Sequence, residues 1–498
     1  MNRRWLIAAL LSPLVWLTGC APVGPDFVRP EAEIRDDWAG AVDEGLGIGD
    51  ADLVDWWLLF EDPVLDQLVR DALDRNNSLE LAGLSVLEAR AQLGIATGLQ
   101  YPQAQAAAGS ATYVAPADNS RLPNSWSYSL GASAAWELDF WGRFRRGIES
   151  ADAAYFASKA AYEQAQVILT SAVVDLYVVI RIAEEQLRIA EENVKLQQRS
   201  FDITRVLFEN GADSELDVQQ ARTQLLSTQA TIPGLEIGLA QARNALSTLL
   251  GSPPGAVDAA LAGQSGIPSV PEALAIGVPA DLLRNRPDVR QAELLAAAQS
   301  AQVGLATADL YPSFSLTGAI GLSAGGPGDS DFGDLFSSDA LNRSAGISFV
   351  WPFLNYDRIE NNIRVQDARL QQALVAYAET VIQAAREVED SMAAYIGTQK
   401  QEKILAEAVD AAMRSNELST LRYAEGYADF ERVLRAQQAL FSQQQRYISN
   451  QGEIVRSVIS LYRSLGGGWS DETGLPFLDE ATRQQMRERT DWGEMIDD

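Results

Sequence analysis

Two hydrophobic periods alternate along this chain. From Trp141 to Gln229 there is no proline, and Val173, Ile180, Leu187, Val194, Phe201 and Phe208 recur every seven residues. A second seam, Ile182, Ile189, Leu196 and Ile203, keeps the same period two positions away. That is about 160° around a helix of 3.6 residues per turn. A two-stranded coiled coil needs one seam. Seams on opposite flanks predict a helix with a neighbour on each side, as in a sheet or closed ring of helices. Val388, Tyr395, Val409 and Tyr423, with Ile404, Ala411 and Leu418, repeat the arrangement more loosely. Helices of roughly 65 residues are about 100 Å long, far beyond a globular core.

The segments before these helices alternate with period two. Tyr128, Leu130, Ala132, Ala134, Trp136, Leu138 and Phe140 share one face, against Ser127, Ser129, Gly131, Ser133, Ala135, Glu137 and Asp139. Phe314, Leu316, Ile320 and Leu322, then Ala345, Ile347, Phe349 and Trp351, alternate likewise with serine, threonine and glycine. Strands of about ten residues, apolar on one face and small-polar on the other, follow the pattern of transmembrane β-strands. With the weaker stretch 103–115 they predict four strands, with hairpin loops at Pro116–Pro123 and Gly325–Asp339.

The chain is a tandem duplication. Leu93–Pro102 matches Val303–Pro312 at an offset of 210. Trp136 and Trp351, Arg143 and Arg358, Asp175 and Asp390, Gly211 and Gly426, Val218 and Val433, and Gly251 and Gly466 pair at 215. The five-residue change is expected in a surface loop between the Tyr-Pro pairs and the tryptophans. The predicted organisation has repeat 1 over 79–251 (strands 103–140, long helices 142–249) and a connecting segment over 252–288. Repeat 2 follows over 289–466 (strands 313–353, long helices 358–465).

Composition narrows the chemistry. The chain has 498 residues, no histidine, one cysteine and a formal charge of −29. Such acidity repels a phosphate backbone, so nucleic acid is not an expected partner. Zinc, haem and Cys/His catalysis are excluded by residue type. Arg3 and Arg4 precede an apolar run from Trp5 to Leu17, ending in Leu17-Thr18-Gly19-Cys20. This reads as a secretory signal over 1–19, too short for a comfortable span, ending in a lipoprotein box. Cys20 is the expected lipid acceptor and mature N-terminus, with no other cofactor expected. Ala21 in place of aspartate favours the outer membrane. Losing 1–19 removes two arginines and no acid, taking the charge to −31. No second apolar span of about 20 residues is read, so any crossing is expected to be by β-strands. Residues 20–78 form the anchor and a periplasmic segment, and 467–498 an acidic tail.

Four strands cannot close a barrel, and hydrocarbon does not tolerate an open edge. Copies of the chain must complete it. Two give eight strands, filled by side chains; three give twelve, wide enough for a lumen.

Several short motifs stand in a telling order: Val23-Gly-Pro-Asp-Phe27, Trp56-Trp57…Phe60-Glu-Asp-Pro63 with Asn76 and Leu79, Trp136-Glu-Leu-Asp-Phe-Trp-Gly-Arg143, Gly211 through Val218, and Leu283-Arg-Asn-Arg-Pro-Asp-Val289. In these the chain resembles the outer-membrane efflux protein family (TolC/OprM-like), most closely its NodT-type lipoprotein branch, over nearly the whole mature length. The resemblance implies a mixed α and β membrane protein. It would be a homotrimer whose twelve-stranded β-barrel, four strands per chain, continues into a periplasmic α-helical barrel. Its tip would dock a periplasmic adaptor (membrane fusion) protein attached to an inner-membrane pump, of RND type. The implied function is a passive gated duct of a tripartite efflux system, exporting small toxic compounds or drugs.

Gly211 and Gly426 end the two longest helices, where glycine suits a left-handed cap. The resemblance places these turns at the periplasmic tip, making Gly211, Asp213, Asp217, Gly426, Asp429, Glu431, Arg432 and Arg435 candidates for gate and adaptor docking. Relatives often carry acids where Arg432 and Arg435 stand, so a salt-bridged latch from these arginines to Asp213, Asp217 or Asp429 is expected. Arg286-Pro287-Asp288 reads as a helix start. The alternatives are a type I protein-secretion exit channel and a lipoprotein scaffold without a pore. A hydrolase is disfavoured, since no nucleophile–base set stands out.

Overall fold

The computed structural model describes residues 22–30, 38, 46–48, 53–116, 124–263, 265–271, 274–276, 283–325, 331–469 and 477–496. The signal segment 1–19 and Cys20 lie outside them.

In chain order the main elements are α1 (Pro63–Arg75), α2 (Asn77–Gly98), β1 (Ala104–Val114), β2 (Ser125–Leu138), α3 (Arg143–Glu209), α4 (Glu215–Gln229) and α5 (Ile232–Leu249). They continue with α6 (Pro287–Ala308), β3 (Ser313–Gly325), β4 (Leu341–Val350), α7 (Arg358–Ala424), α8 (Phe430–Ser464) and α9 (Glu480–Arg489). The duplication reappears as length. Both α2 and α6 have 22 residues, and both α3 and α7 have 67. At ~1.5 Å per residue each of the longer pair runs about 100 Å.

One compact unit takes the described residues within 1–31, 86–158 and 291–378. It holds a four-stranded sheet of order β1-β2-β3-β4, antiparallel throughout. The central pairing joins the two repeats, with Leu130 opposite Leu322 and Trp136 opposite Leu316. Gly131 faces Gly321 so closely that a Cβ on either would lie 3.1 Å from the other's Cα. The offset between strands corrects the simple repeat arithmetic. Ala104 pairs with Ala135 and Ser313 with Val350, so β1 and β3 are related by 209, not 210. The extra residue is Gln103. Its amide accepts from Glu137 N at 2.7 Å and donates to Glu137 O at 3.2 Å and Leu99 O at 2.9 Å, replacing a rung of the ladder with a side chain.

The second unit takes the described residues within 32–85, 159–290 and 379–498. Its core includes Trp56, Trp57, Phe60, Leu65, Val173, Tyr177 and Leu461, all nearly inaccessible. Trp56 stacks on Tyr462 at 5.5 Å. α3 does contain a stretch of mean hydropathy 1.7, long and apolar enough to cross a membrane by composition. That departs from the sequence reading, but Val173, Val174, Tyr177, Val178 and Ile180 are fully buried within this unit, which makes the stretch core.

The long helix expected to end repeat 1 near 249 is broken. Its counterpart α8 runs unbroken for 35 residues, whereas α4 ends at Gln229 and α5 begins at Ile232. Pro233 is the cause. It has no N–H for the Gln229 carbonyl, and its ring disfavours helical geometry just before it. Ile448 occupies the matching position in α8.

The apolar seams also distribute unevenly. The seam at Ile182 and Ile189 meets α8, where Gly452 leaves room for Ile182. The other seam is buried at Val173 and Ile180 but exposed at Phe208. From 191 to the end of α3 the buried positions are instead Asn193, Gln197, Ser200 and Thr204. Asn193 donates to Gln444 at 2.8 Å, and Gln437 donates to Ser200 at 2.7 Å. Among the described residues the apolar flank there is covered only in part, Phe201, Ile203 and Leu207 packing against Tyr423, Phe430 and Val433.

Candidate functional site

Every residue of β1 and β4 is exposed, although the sheet carries a large apolar load. Trp126, Leu130, Ile320, Ile347 and Phe349 stand between 44% and 75% accessible. The register sorts the side chains. Tyr113, Trp126, Tyr128, Leu130, Trp136, Leu322, Ile320, Leu316, Phe314, Ile347 and Phe349 fall on one face; Ser110, Ser129, Ser133, Ser323, Thr317, Ser344 and Ser348 fall on the other. A concavity of ≈ 350 Å³ takes most of its lining residues, among them Ser129, Gly131, Ser133, Ala319, Gly321 and Ser323, from the small-polar face, which is the hollow one.

Aromatic rings gather at both ends of the apolar face. At the hairpin-loop end Trp126 stacks on Tyr128 and packs tilted against Tyr113, and Phe332 of the β3–β4 connection packs edge-on to Tyr128 at 5.5 Å. At the opposite end Phe140 packs on Phe314 at 5.3 Å and Trp141 on Tyr311 at 4.5 Å. Trp136 Nε1 donates to Gln100 O and Trp351 Nε1 to Leu310 O, both at 3.0 Å, the same bond in each repeat. Trp126 and Trp136 are ten residues apart. That is ~34 Å of strand, or about 26 Å at a tilt of ~40°, close to the ~25 Å apolar band of an outer-membrane barrel. No edge partner is paired to β1 or β4 among the described residues.

The first described residues are strapped to this sheet's base. Val23 N donates to Trp141 O at 3.0 Å. Arg146, 3% accessible, donates to Val23 O at 3.1 Å, Gly24 O at 3.3 Å, Asp26 at 2.7 Å and Glu149 at 2.7 Å. Gly142, at φ +78°, leaves room for Pro22, and Gly24, at φ +90°, seats against the backbone of Gly304. Cys20 itself lies outside the described residues.

The second candidate site is the pair of turns between the long helices. Gly211, at φ +70°, and Gly426, at φ +76°, close α3 and α7 with matching bonds: Ala212 N to Leu207 O and Tyr427 N to Arg422 O, each 2.8 Å. Ser214 then caps α4, its Oγ accepting from Asp217 N at 3.2 Å and donating to Asp217 Oδ2 at 2.8 Å. Asp429 occupies the cap position of α8 through its backbone alone. Beneath the turns Tyr423, Phe430, Val433 and Ala221 form a small core with Phe201, Ile203, Leu207 and Leu434 around it.

The expected arginine latch is not what one chain builds. Arg435 pairs with Glu431 at 2.5 Å, one turn back on its own helix. Arg432 is exposed and makes no ion pair among the described residues. The bond joining the two turns is from Tyr423, whose hydroxyl donates to Asp213 and lies 3.3 Å from Thr204 Oγ1. Tyr423 sits on the last turn of α7 and reaches Asp213 directly, which the arginines on α8 do not. The sequence marked Tyr423 only as a seam residue, and its repeat counterpart, Phe208, carries no hydroxyl.

These contacts set the local electrostatics. Burial pushes the Asp213 carboxyl up, but bonds from Tyr423, Asp217 and Ser214 N outweigh it and hold the group below the usual carboxylate value. Asp217 moves upward, through burial and then through Asp213 and Asp429 beside it. Burial and Asp213 together push the Tyr423 hydroxyl well above its usual value.

Comparison with known proteins agrees with this geometry. The model of the family described as outer membrane efflux protein matches residues 68–252 and 278–467. The chain is similar to the probable outer membrane lipoprotein SilC of Salmonella typhimurium, 29% identical over 92% of this chain and 98% of SilC. It is similar to the solvent efflux pump outer membrane protein SrpC of Pseudomonas putida, 32% identical over 92% of this chain and 97% of SrpC. Among solved structures it resembles the outer-membrane channel OprN, at a TM-score of 0.84 and 33% identity, covering 90% of this chain and 99% of OprN. A two-faced sheet with bare edges, duplicated 67-residue helices and these matches lead to one conclusion: the chain belongs to the outer membrane efflux protein family.

Proposed function

We propose that three copies of this chain form the outer-membrane duct of an efflux system, passing small toxic compounds outward. The sheet carries the reading. Its apolar face, bounded by two aromatic girdles, fits a bilayer, its hollow face of serine, threonine and glycine fits a water-filled lumen, and both edges need a partner strand. The duplication says how copies would join. β2 pairs with β3 within the chain, and their repeat counterparts are β4 and β1. Carrying that register over by 215 and 209 sets Ser348 opposite Ser110 of a neighbouring copy, Ile347 opposite Ala111 and Phe349 opposite Gly109. Apolar residues then meet apolar or small ones on the outer face, and hydroxyls meet on the inner. Three copies supply twelve strands, the number that leaves a lumen.

Cys20 carries the lipid in this reading, and the Val23–Asp26 strap holds the anchor at the sheet's inner rim. The long helices form the periplasmic tunnel, and the turns at Gly211 and Gly426 form its gated tip. There Asp213, Asp217, Asp429, Glu431, Arg432 and Arg435 face an adaptor that links the duct to an inner-membrane pump of the RND type. The test is assembly: purified protein should run as a heat-resistant trimer, with the mature N-terminus lipidated by mass spectrometry. A monomer inserted in lipid would point instead to a scaffold without a pore.

A further inference from the structure

We propose that Arg343 is a binding site for the phosphate of a lipid headgroup, in the leaflet next to the hairpin loops. The site rests on the barrel reading above and adds to it a specific contact with the surrounding membrane. Arg343 is in β4, opposite Ile320, which is itself opposite Ala132. That register puts it on the apolar face, with Leu130, Leu322 and Ile347. It is the one charged residue on that face among the described strand residues.

Arg343 is exposed and makes no ion pair or hydrogen bond among the described residues. Two acids of the described part of the β3–β4 connection are turned to other bonds: Asp334 accepts from Asp331 N at 3.0 Å, and Asp339 accepts from Ser338 Oγ at 3.3 Å. An unpaired guanidinium facing hydrocarbon is unfavourable, and less so the closer it lies to the interface.

Its height matches that interface. Arg343 is two residues from the loop end of β4, which begins at Leu341. At the repeat offset of 215 its counterpart is Tyr128, a member of the aromatic girdle at the loop end. A long side chain at that level can lay its methylenes along Leu341 and Ile320 and lift its head to the polar boundary. The anions available there are lipid phosphates, and a guanidinium matches two phosphate oxygens at once. A trimer would carry three such sites.

The test uses lipidated wild-type, Arg343→Leu and Arg343→Lys trimers in neutral detergent, each first checked for heat resistance and conductance. They are titrated with bis-phosphorylated lipid A, its dephosphorylated form and inorganic phosphate, and retained lipid is counted by native mass spectrometry. The wild type should hold up to three phosphorylated lipids. Arg343→Leu should bind them about tenfold more weakly, and Arg343→Lys should fall between. Dephosphorylated lipid should bind both proteins alike, and inorganic phosphate should not displace the lipid at equal concentration. Equal retention of phosphorylated lipid by wild type and Arg343→Leu, or displacement by inorganic phosphate, overturns the site while leaving the barrel standing. Failure of the wild type itself to form conducting trimers overturns the barrel reading and this site with it.

Discussion

Replacing Tyr423 with phenylalanine removes the one side-chain bond that, among the described residues, ties the α3–α4 turn to the end of α7. The ring would remain packed 5.4 Å from Phe430 and within the same small core, so the change isolates the hydroxyl. A hydrogen bond to a charged acceptor contributes about 1.5–3 kcal/mol. Asp213 is only partly covered, so water recovers much of that, and ~1 kcal/mol per chain is a sober figure. If three turns separate together when the tip opens, the changes add to ~3 kcal/mol, about a 150-fold shift toward the open state. Single-channel recording in a planar bilayer reads this as the ratio of open to closed time. Tyr447→Phe, which loses only a bond from Gln451 away from the turns, is the control. An unchanged ratio in well-folded Tyr423→Phe trimers would refute the assignment of this bond to the gate.

Acidity should act on the same turns in two stages. Asp217 titrates above its ordinary value of 3.8, so its ionised form opposes the packed turn at neutral pH, and that opposition is relieved as pH falls through its raised value. Asp213 titrates below 3.8, so its bond to Tyr423 is fully present above 3.8 and is lost only as pH falls through the lowered value. Open time should therefore decrease from pH 7 toward 4 and rise again below, and Asp217→Asn should abolish the first stage. Cysteines at Ser348 and Ser110 should cross-link neighbouring copies under mild oxidation, while Ile347 with Ser110, on opposite faces, should not. Gel mobility of covalent trimers reads the result. Arg146→Ala removes four bonds, three of them to Val23, Gly24 and Asp26, and should loosen the strap by roughly 1–3 kcal/mol, seen as faster proteolysis near residue 25 with the helices intact.

Much of the architecture is written in periodicity. Seven-residue spacing from Val173 onward and the glycines at 211 and 426 locate the long helices and their turns, because both follow from local backbone geometry. Period-two alternation locates the strands and even their faces, since a pleated strand sends neighbours to opposite sides. What escaped depends on partners distant in sequence. The amide of Gln103 fills a gap in the ladder only because Glu137 arrives beside it, and nothing at Tyr-Pro-Gln marks the one-residue shift. Nothing in the sequence around Arg146 points to Val23 and Asp26, which only the fold brings beside it. The break before α5 was legible in principle, in Pro233, but the heptad pattern masked it. The bonding at the helix turns was least legible, because arginines near aspartates suggest ion pairs, while the hydroxyl of Tyr423 reaches Asp213 from the end of α7.

The account stands or falls on whether copies of this sheet enclose a pore. Purified, lipidated protein reconstituted in a planar bilayer should give discrete conductance steps from heat-resistant trimers. The steps should persist when the strands are locked in register by the Ser348–Ser110 cross-link. Trimers that insert in the bilayer, cross-link in that register and yet carry no current would contradict the duct and leave a membrane-anchored scaffold.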